Sequence, residues 1–189
     1  NLETSTTTEE LCDLFALLSL DGPSDSLQST WIAGSIESYR RATDDPAEMA
    51  ALLGWVLPGF GCAEVGEGGM ELLTDHAGRR GAVRIHPISR DEPCRLQGKV
   101  LVPTGSRVAW VLPLSHDPQG DWQLRVLVDG QEIADRLIGP GEVTDGWLDL
   151  KLDMTPWAGR EVAIEIRCEA NGWSWEFGYL GRAVWQVTQ

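Results

Sequence analysis

The chain has 189 residues and a net charge of −14, from 29 acidic and 15 basic residues; this sign opposes the attraction that supplies most nucleic-acid affinity, so nucleic acid and anionic lipid are not expected partners. Apolar residues make up 42% and charged residues 23%, an ordinary globular composition that suggests neither disorder nor a fibrous repeat, and the length suits one main core, alone or with a smaller appendage. No apolar run reaches the roughly 20 residues of a spanning helix, since Ala50 to Leu57 is interrupted by Gly54 and stopped by Pro58, and no membrane insertion is expected.

Taken in order, Asn1 to Thr6 is polar and unpatterned. Thr7 stands three residues ahead of Glu10, as in a capping box, and Leu11, Leu14, Phe15 and Leu18 share a face, so a helix is predicted from about Thr8 to Leu20. Leu27, Trp31, Ile36 and Tyr39 suggest a second helix to about Ala42, weakened by Gly34. Asp45-Pro46-Ala47-Glu48 opens a third: Asp45 can cap, proline suits the first helical position, and Glu48 can complete the box. Met49, Leu52, Leu53 and Val56 form its stripe, and Leu57-Pro58-Gly59 ends it.

Residues 1–60 thus read as a helical N-terminal segment, 61–69 as a glycine-rich linker and 70–189 as a β domain. Gly66-Glu67-Gly68-Gly69 shares only its glycine content with a phosphate-cradling loop, because no Gly-Lys-Ser/Thr follows. The chain starts without Met or a signal peptide, and the expectation is a processed or excised piece of a longer product.

Beyond the linker nearly every segment reads as a strand: 82–85, 94–102, 107–114, 122–128, 131–137, 147–153, 161–168 and 175–187, the last with a break at Gly181. Val108, Trp110, Leu112 and Leu114 alternate on one side of a loop, and Trp122, Leu124, Val126 and Val128 on the other. Asp129-Gly130 signals a tight turn. Leu148, Leu150 and Leu152 oppose Asp149, Lys151 and Asp153; Phe177, Tyr179, Ala183, Trp185 and Val187 are expected inward, opposite Glu176, Arg182 and Gln186. Trp185→Ala is then expected to be among the most damaging substitutions. About eight short strands with turn signals and no helices between them predict an antiparallel β-sandwich, a jelly roll, preceded by a small helical segment.

The four cysteines, Cys12, Cys62, Cys94 and Cys168, form no Cys-x-x-Cys pair, so no compact zinc or redox motif is present. Cys94 and Cys168 continue inward alternations and read as small core residues. Disulfides are permitted in an exported chain, with the pairing open, but a core of this size does not require them. No Gly-x-Ser-x-Gly occurs, and His76, His86 and His116 sit in unrelated loops or strand ends, which reads as hydrogen-bonding histidines rather than a nucleophile's base or a metal site. Carboxylate pairs for glycoside cleavage are available by chance among 29 acids, without specific spacing. Asp117, Asp121 and nearby carbonyls could hold a structural calcium, although the Asp-x-Asp-x-Asp-Gly pattern is missing; no other cofactor is expected.

Nine tryptophans against three phenylalanines and two tyrosines is the suggestive feature. Alternation explains Trp110 and Trp185, and helical packing Trp31 and Trp55. Trp122, Trp147, Trp157, Trp173 and Trp175 lie in or beside loops, and Asp121, Asp145, Asn171 and Glu176 stand beside Trp122, Trp147, Trp173 and Trp175. A flat ring beside such groups suits a sugar, whose C–H face stacks while its hydroxyls bond to the polar neighbours; the same rings could equally plug the ends of the sandwich.

Here the run SHDPQGDWQLRVLVDGQEIADRLIG, followed by DGWLDLKLDMTPWAGREVAIEIRCEANGWSWEFGYLGRAVWQV, resembles the galactose-binding-like jelly-roll domains of large exported bacterial proteins. The likeness lies in the Asp-Trp strand, the Asp-Gly-Trp and Pro-Trp-Ala-Gly turns and the Ala-Asn-Gly-Trp-Ser-Trp-Glu loop, and it covers roughly Met70 to Val187. It implies a β-sandwich whose relatives are often non-catalytic carbohydrate-binding modules. By that analogy the ligand-facing residues would be His116, Asp121, Trp122, Trp147, Trp173, Trp175 and Glu176.

The expected function is a non-catalytic, extracytoplasmic binding domain that recognises a glycan or other neutral polar ligand at a loop end. The alternatives are a structural or assembly subunit, with a protein partner or further copies of itself on the helices and sandwich faces, and a carboxylate-dependent glycoside hydrolase.

Overall fold

The alternating runs become eleven strands in two antiparallel sheets, in a computed structural model that describes residues 42–189. These belong to one unit, Tyr39–Gln189; the two helices expected before Ala42 lie outside the described residues. The strands are β1 (Phe60–Cys62), β2 (Glu71–His76), β3 (Arg79–Ile85), β4 (Cys94–Leu101), β5 (Arg107–His116), β6 (Trp122–Val128), β7 (Gln131–Ile138), β8 (Leu148–Asp153), β9 (Glu161–Glu169), β10 (Gly178–Leu180) and β11 (Val184–Thr188). One sheet runs β1-β4-β9-β6-β7 and the other β11-β5-β10-β3-β2, with β8 on the remaining edge of β5. β10 and β11 lie end to end along β5, against its residues 114–116 and 107–111. This is the predicted sandwich.

The core is built from the predicted alternation. Trp110, Leu112 and Leu114 of β5 are at most 4% exposed, and Trp122, Leu124, Val126 and Val128 of β6 are completely buried. Cys94, Leu96, Val162, Ile164, Ile166 and Cys168 continue it on β4 and β9. Asp129-Gly130 takes φ 49° and 80°, the mirror-image turn that matches strand twist.

Among the described residues one α-helix precedes the sheets, α1 (Pro46–Leu53), and its start follows the sequence closely. Asp45 Oδ1 accepts from the backbone N–H of Ala47 at 2.9 Å and of Glu48 at 3.0 Å. Glu48 does not close the expected box: its carboxylate accepts from the Thr43 hydroxyl at 2.6 Å, and that hydroxyl in turn receives the Asp45 N–H at 3.1 Å. Met49, Leu53, Val56 and Leu57 are buried.

Gly61 and Cys62 depart from the linker expected over 61–69. They form β1 with Phe60, paired to β4, and Gly98 makes the close fit, because a Cβ there would lie 2.7 Å from the Phe60 ring. Period-two alternation is invisible in a three-residue strand with one glycine before it and another at its centre. β2 lacks the signal for a related reason: it is an edge strand whose residues are half-buried or, at Thr74 and Asp75, exposed, with no inward stripe.

The last strand segment also differs. Residues 171–177 are irregular, so the parity carried back from β10 fails: Glu176, expected outward, is 2% exposed. β11 pairs only with β5 among the described residues and leaves Val184 and Val187 46% and 43% exposed. Trp185 is only half-buried, stacked on Trp110 at 5.9 Å, and Trp122 takes its place as the largest fully buried side chain.

Candidate functional site

One end of the sandwich gathers three loops: 86–93 after β3, 117–121 between β5 and β6, and 170–177 between β9 and β10. The last two are held together by their backbones. Asp117 N–H donates to the Phe177 carbonyl at 3.3 Å, and Gly120 lies so close that a Cβ there would sit 2.2 Å from the Trp175 carbonyl oxygen. Only glycine permits this approach.

Asn171 is the hub of the cluster. Its backbone N–H donates to Glu176 Oε2 at 3.0 Å, and its side-chain amide donates to Asp121 Oδ1 at 3.1 Å. Glu176 is therefore a buried brace inside the 171–177 turn rather than a ligand-facing acid. Asp121 is partly exposed and retains its second carboxylate oxygen. His116, at the end of β5, directs Nδ1 at the carbonyls of Asp117 (2.7 Å) and Gly120 (2.9 Å). Carbonyls only accept, so Nδ1 carries the proton and, in the neutral ring, Nε2 carries the lone pair.

Trp175 completes the cluster. It sits at φ 60°, a left-handed backbone that is uncommon for a residue with a Cβ and is associated with functional sites. The residue is 50% exposed, the highest among the tryptophans of the described residues. Trp173 turns the other way: it is half-buried, edge-on to His86 at 5.4 Å, and His86 in turn packs 4.8 Å from Phe177.

Two residues predicted for this site belong elsewhere. Trp122 is a plug of the core: 0% exposed, with Nε1 donating to the Ser115 carbonyl at 3.0 Å. Its ring lies against Gly178, where a Cβ would come within 2.9 Å. Trp147, 6% exposed, is carried by the Asp145-Gly146 turn (φ 52° and 83°) into a cluster with Ala82 and Tyr179. There its Nε1 donates to the His76 carbonyl at 3.1 Å, and the Arg79 guanidinium sits 5.0 Å over its ring while pairing with Asp149 at 2.6 Å.

His76 is the residue of this second cluster that sequence reading underrated. It stacks on Tyr179 at 3.8 Å, meets Trp147 edge-on at 5.7 Å, and shares a 3.0 Å hydrogen bond between Nε2 and the Ser115 hydroxyl. Burial holds its pKa below the ordinary value, opposed by the charges of Asp117 and Asp75. Ser115 is 2% exposed and lies within a strand, which is not the exposed elbow a nucleophile needs.

The calcium expected at Asp117 and Asp121 would have to share their carboxylates with existing hydrogen bonds. Asp117 Oδ1 accepts from the Gln119 N–H at 2.9 Å, Asp121 Oδ1 accepts from Asn171 at 3.1 Å, and among the described residues no three His, Cys, Asp or Glu side chains converge on one point. No helix among them is long and apolar enough to cross a membrane.

No family model matches the chain, and no curated protein matches it. Among solved structures it is similar to a secreted serine protease, VesC, from Vibrio cholerae: 16% identity, TM-score 0.44, over 77% of this chain but 28% of that one. It is similar also to the carbohydrate-binding module CBM35 from Paenibacillus barcinonensis, at 10% identity and TM-score 0.46, over 69% of this chain and 94% of that one. A third, the module TmCBM61 in complex with β-1,4-galactotriose, has 12% identity and TM-score 0.44, over 78% and 98%. All three superpose below a TM-score of 0.5.

Proposed function

We propose that the chain is a non-catalytic, extracytoplasmic binding domain that takes a glycan or another neutral polar ligand at the loop end formed by residues 117–121 and 170–177. The observation that carries this is Trp175. A large ring held half in solvent, on a strained backbone that Gly120 and the Asn171–Glu176 bond fix in place, matches a stacking platform rather than a plug. Asp121 and the Nε2 of His116 offer an acceptor each for sugar hydroxyls on the same two loops. Each candidate acid of the cluster spends an oxygen on Asn171, which suits orientation of the loop better than paired acid–base work.

A glycan array followed by titration calorimetry tests the proposal. Trp175→Ala is expected to lose at least tenfold in affinity, with Asp121→Asn weaker than wild type. Binding unchanged by Trp175→Ala, or no glycan bound by the wild type, overturns the site.

A second reading, an assembly subunit, draws on one feature: the exposed Val184 and Val187 on β11, whose outer edge can accept another strand. It predicts a concentration-dependent dimer in sedimentation that Val187→Lys abolishes.

A further inference from the structure

Away from the loop end, three free thiols lie buried in the five-stranded sheet. Cys62 is the last residue of β1, at the sheet edge, and Cys94 is the first of its neighbour β4. In the register Cys62 faces Leu96, two residues along β4 from Cys94, so Cys62 and Cys94 leave their strands on the same face. Their Sγ atoms are 3.6 Å apart. Cys62 is 6% exposed and Cys94 not at all. Cys168 stands directly opposite Cys94 on β9, also fully buried.

We infer that Cys62 and Cys94 are a disulfide-forming pair, closed by thiol–disulfide exchange with an oxidised dithiol or oxidised glutathione. The required sulfur–sulfur distance is about 2.05 Å, and the approach falls to β1, a three-residue strand paired on one side only in the described sheet. The chemistry also has a direction. The Cys62 thiol points its proton at the Glu64 carbonyl, 3.0 Å away, leaving its lone pairs toward the Cys94 S–H. A hydrogen bond from Cys94 favours the Cys62 thiolate and holds its pKa below the ordinary value, while the same contact and burial push Cys94 up. Cys62, at the edge, is therefore the first nucleophile.

Its thiolate attacks one sulfur of the oxidant's disulfide, forming a mixed disulfide and releasing one oxidant thiol. Cys94 then gives up its proton and attacks Cys62 Sγ, expelling the second oxidant sulfur as a thiol. Two protein thiols lose two electrons and two protons, and one oxidant disulfide becomes two thiols. The product bond ties the edge strand, and through it α1, to its neighbour β4. Cys168, pushed up by burial and one strand further from the edge, remains a thiol.

The test is peptide mapping of the full chain after incubation with oxidised glutathione, with alkylation under denaturing conditions and no reductant. The expected result is a peptide pair joined through Cys62 and Cys94, and a melting temperature that falls by several degrees on reduction in the wild type but not in Cys62→Ser. Alkylation of both Cys62 and Cys94 without prior reduction, or a link from either one to Cys168 or Cys12, overturns the inference. The mapping is done on the wild type, so it does not depend on a variant folding.

Discussion

Truncating two tryptophans that lie fifty-three positions apart in sequence, but at the same end of the sandwich, should separate core from platform. Trp122 is completely buried and its indole N–H is used, so Trp122→Ala carries the usual cost of a buried aromatic, about 3–5 kcal/mol. The Ser115 carbonyl left without that donor adds about 1 kcal/mol. Trp175 is 50% exposed. An aromatic buries about 150–250 Å² when fully enclosed; half of that, at about 25 cal/mol per Å² and reduced for a compact unfolded chain, gives about 1–3 kcal/mol. A kilocalorie shifts the melting temperature by roughly 2–4 °C in a chain of this size. Trp122→Ala should therefore melt roughly 8–24 °C below wild type, and Trp175→Ala within about 12 °C of it. Calorimetry on the two purified variants decides the matter. If Trp175→Ala is as destabilised as Trp122→Ala, Trp175 is another plug and the stacking platform is gone.

Gly120→Ala should place its methyl against the Trp175 carbonyl, costing about 1–3 kcal/mol by overpacking and weakening glycan binding as the two loops separate; calorimetry and titration on one preparation read both. A chain beginning at Gly66 loses β1 and α1, exposing the core face of β4 that Phe60 covers at Gly98; it should unfold without a sharp transition, whereas one beginning at Ala42 should unfold cooperatively in urea. His76 supplies a pH dependence. Its folded-state pKa lies below the ordinary 6.5, so between those two values the unfolded chain binds more protons and stability rises with pH, becoming level above about 6.5. Urea midpoints from pH 5 to 7 should show a positive slope that is smaller in His76→Gln, and an unchanged slope would count against a buried neutral imidazole.

The strands and their faces were legible because alternation is a local property. Trp122 to Val128 state which side is apolar, and β6 is buried on that side alone; Val108 to Leu114 state an inward side too, but β5 is buried on both faces from Trp110 to Ser115, because neighbouring strands and loops cover its other face as well. The N-cap at Asp45 and the turn at Asp129-Gly130 were legible for the same reason, since each depends on a few neighbouring residues. The fate of the loop-end tryptophans was not. Asp-Trp, Gly-Trp and Ser-Trp look alike in sequence, yet Trp122 is enclosed because Gly178 of β10 leaves room beneath it. Trp147 is enclosed because the Asp145-Gly146 turn places it beside His76 and Arg79. Trp175 is left half in solvent by a left-handed φ on which no single residue type insists. Glu176 follows the same logic, since the irregular 171–177 loop reverses the parity that alternation would carry back from β10. Burial of a ring beside a loop is decided by what the other strands bring to it, and those strands are distant in the chain; only the packed sandwich brings them together.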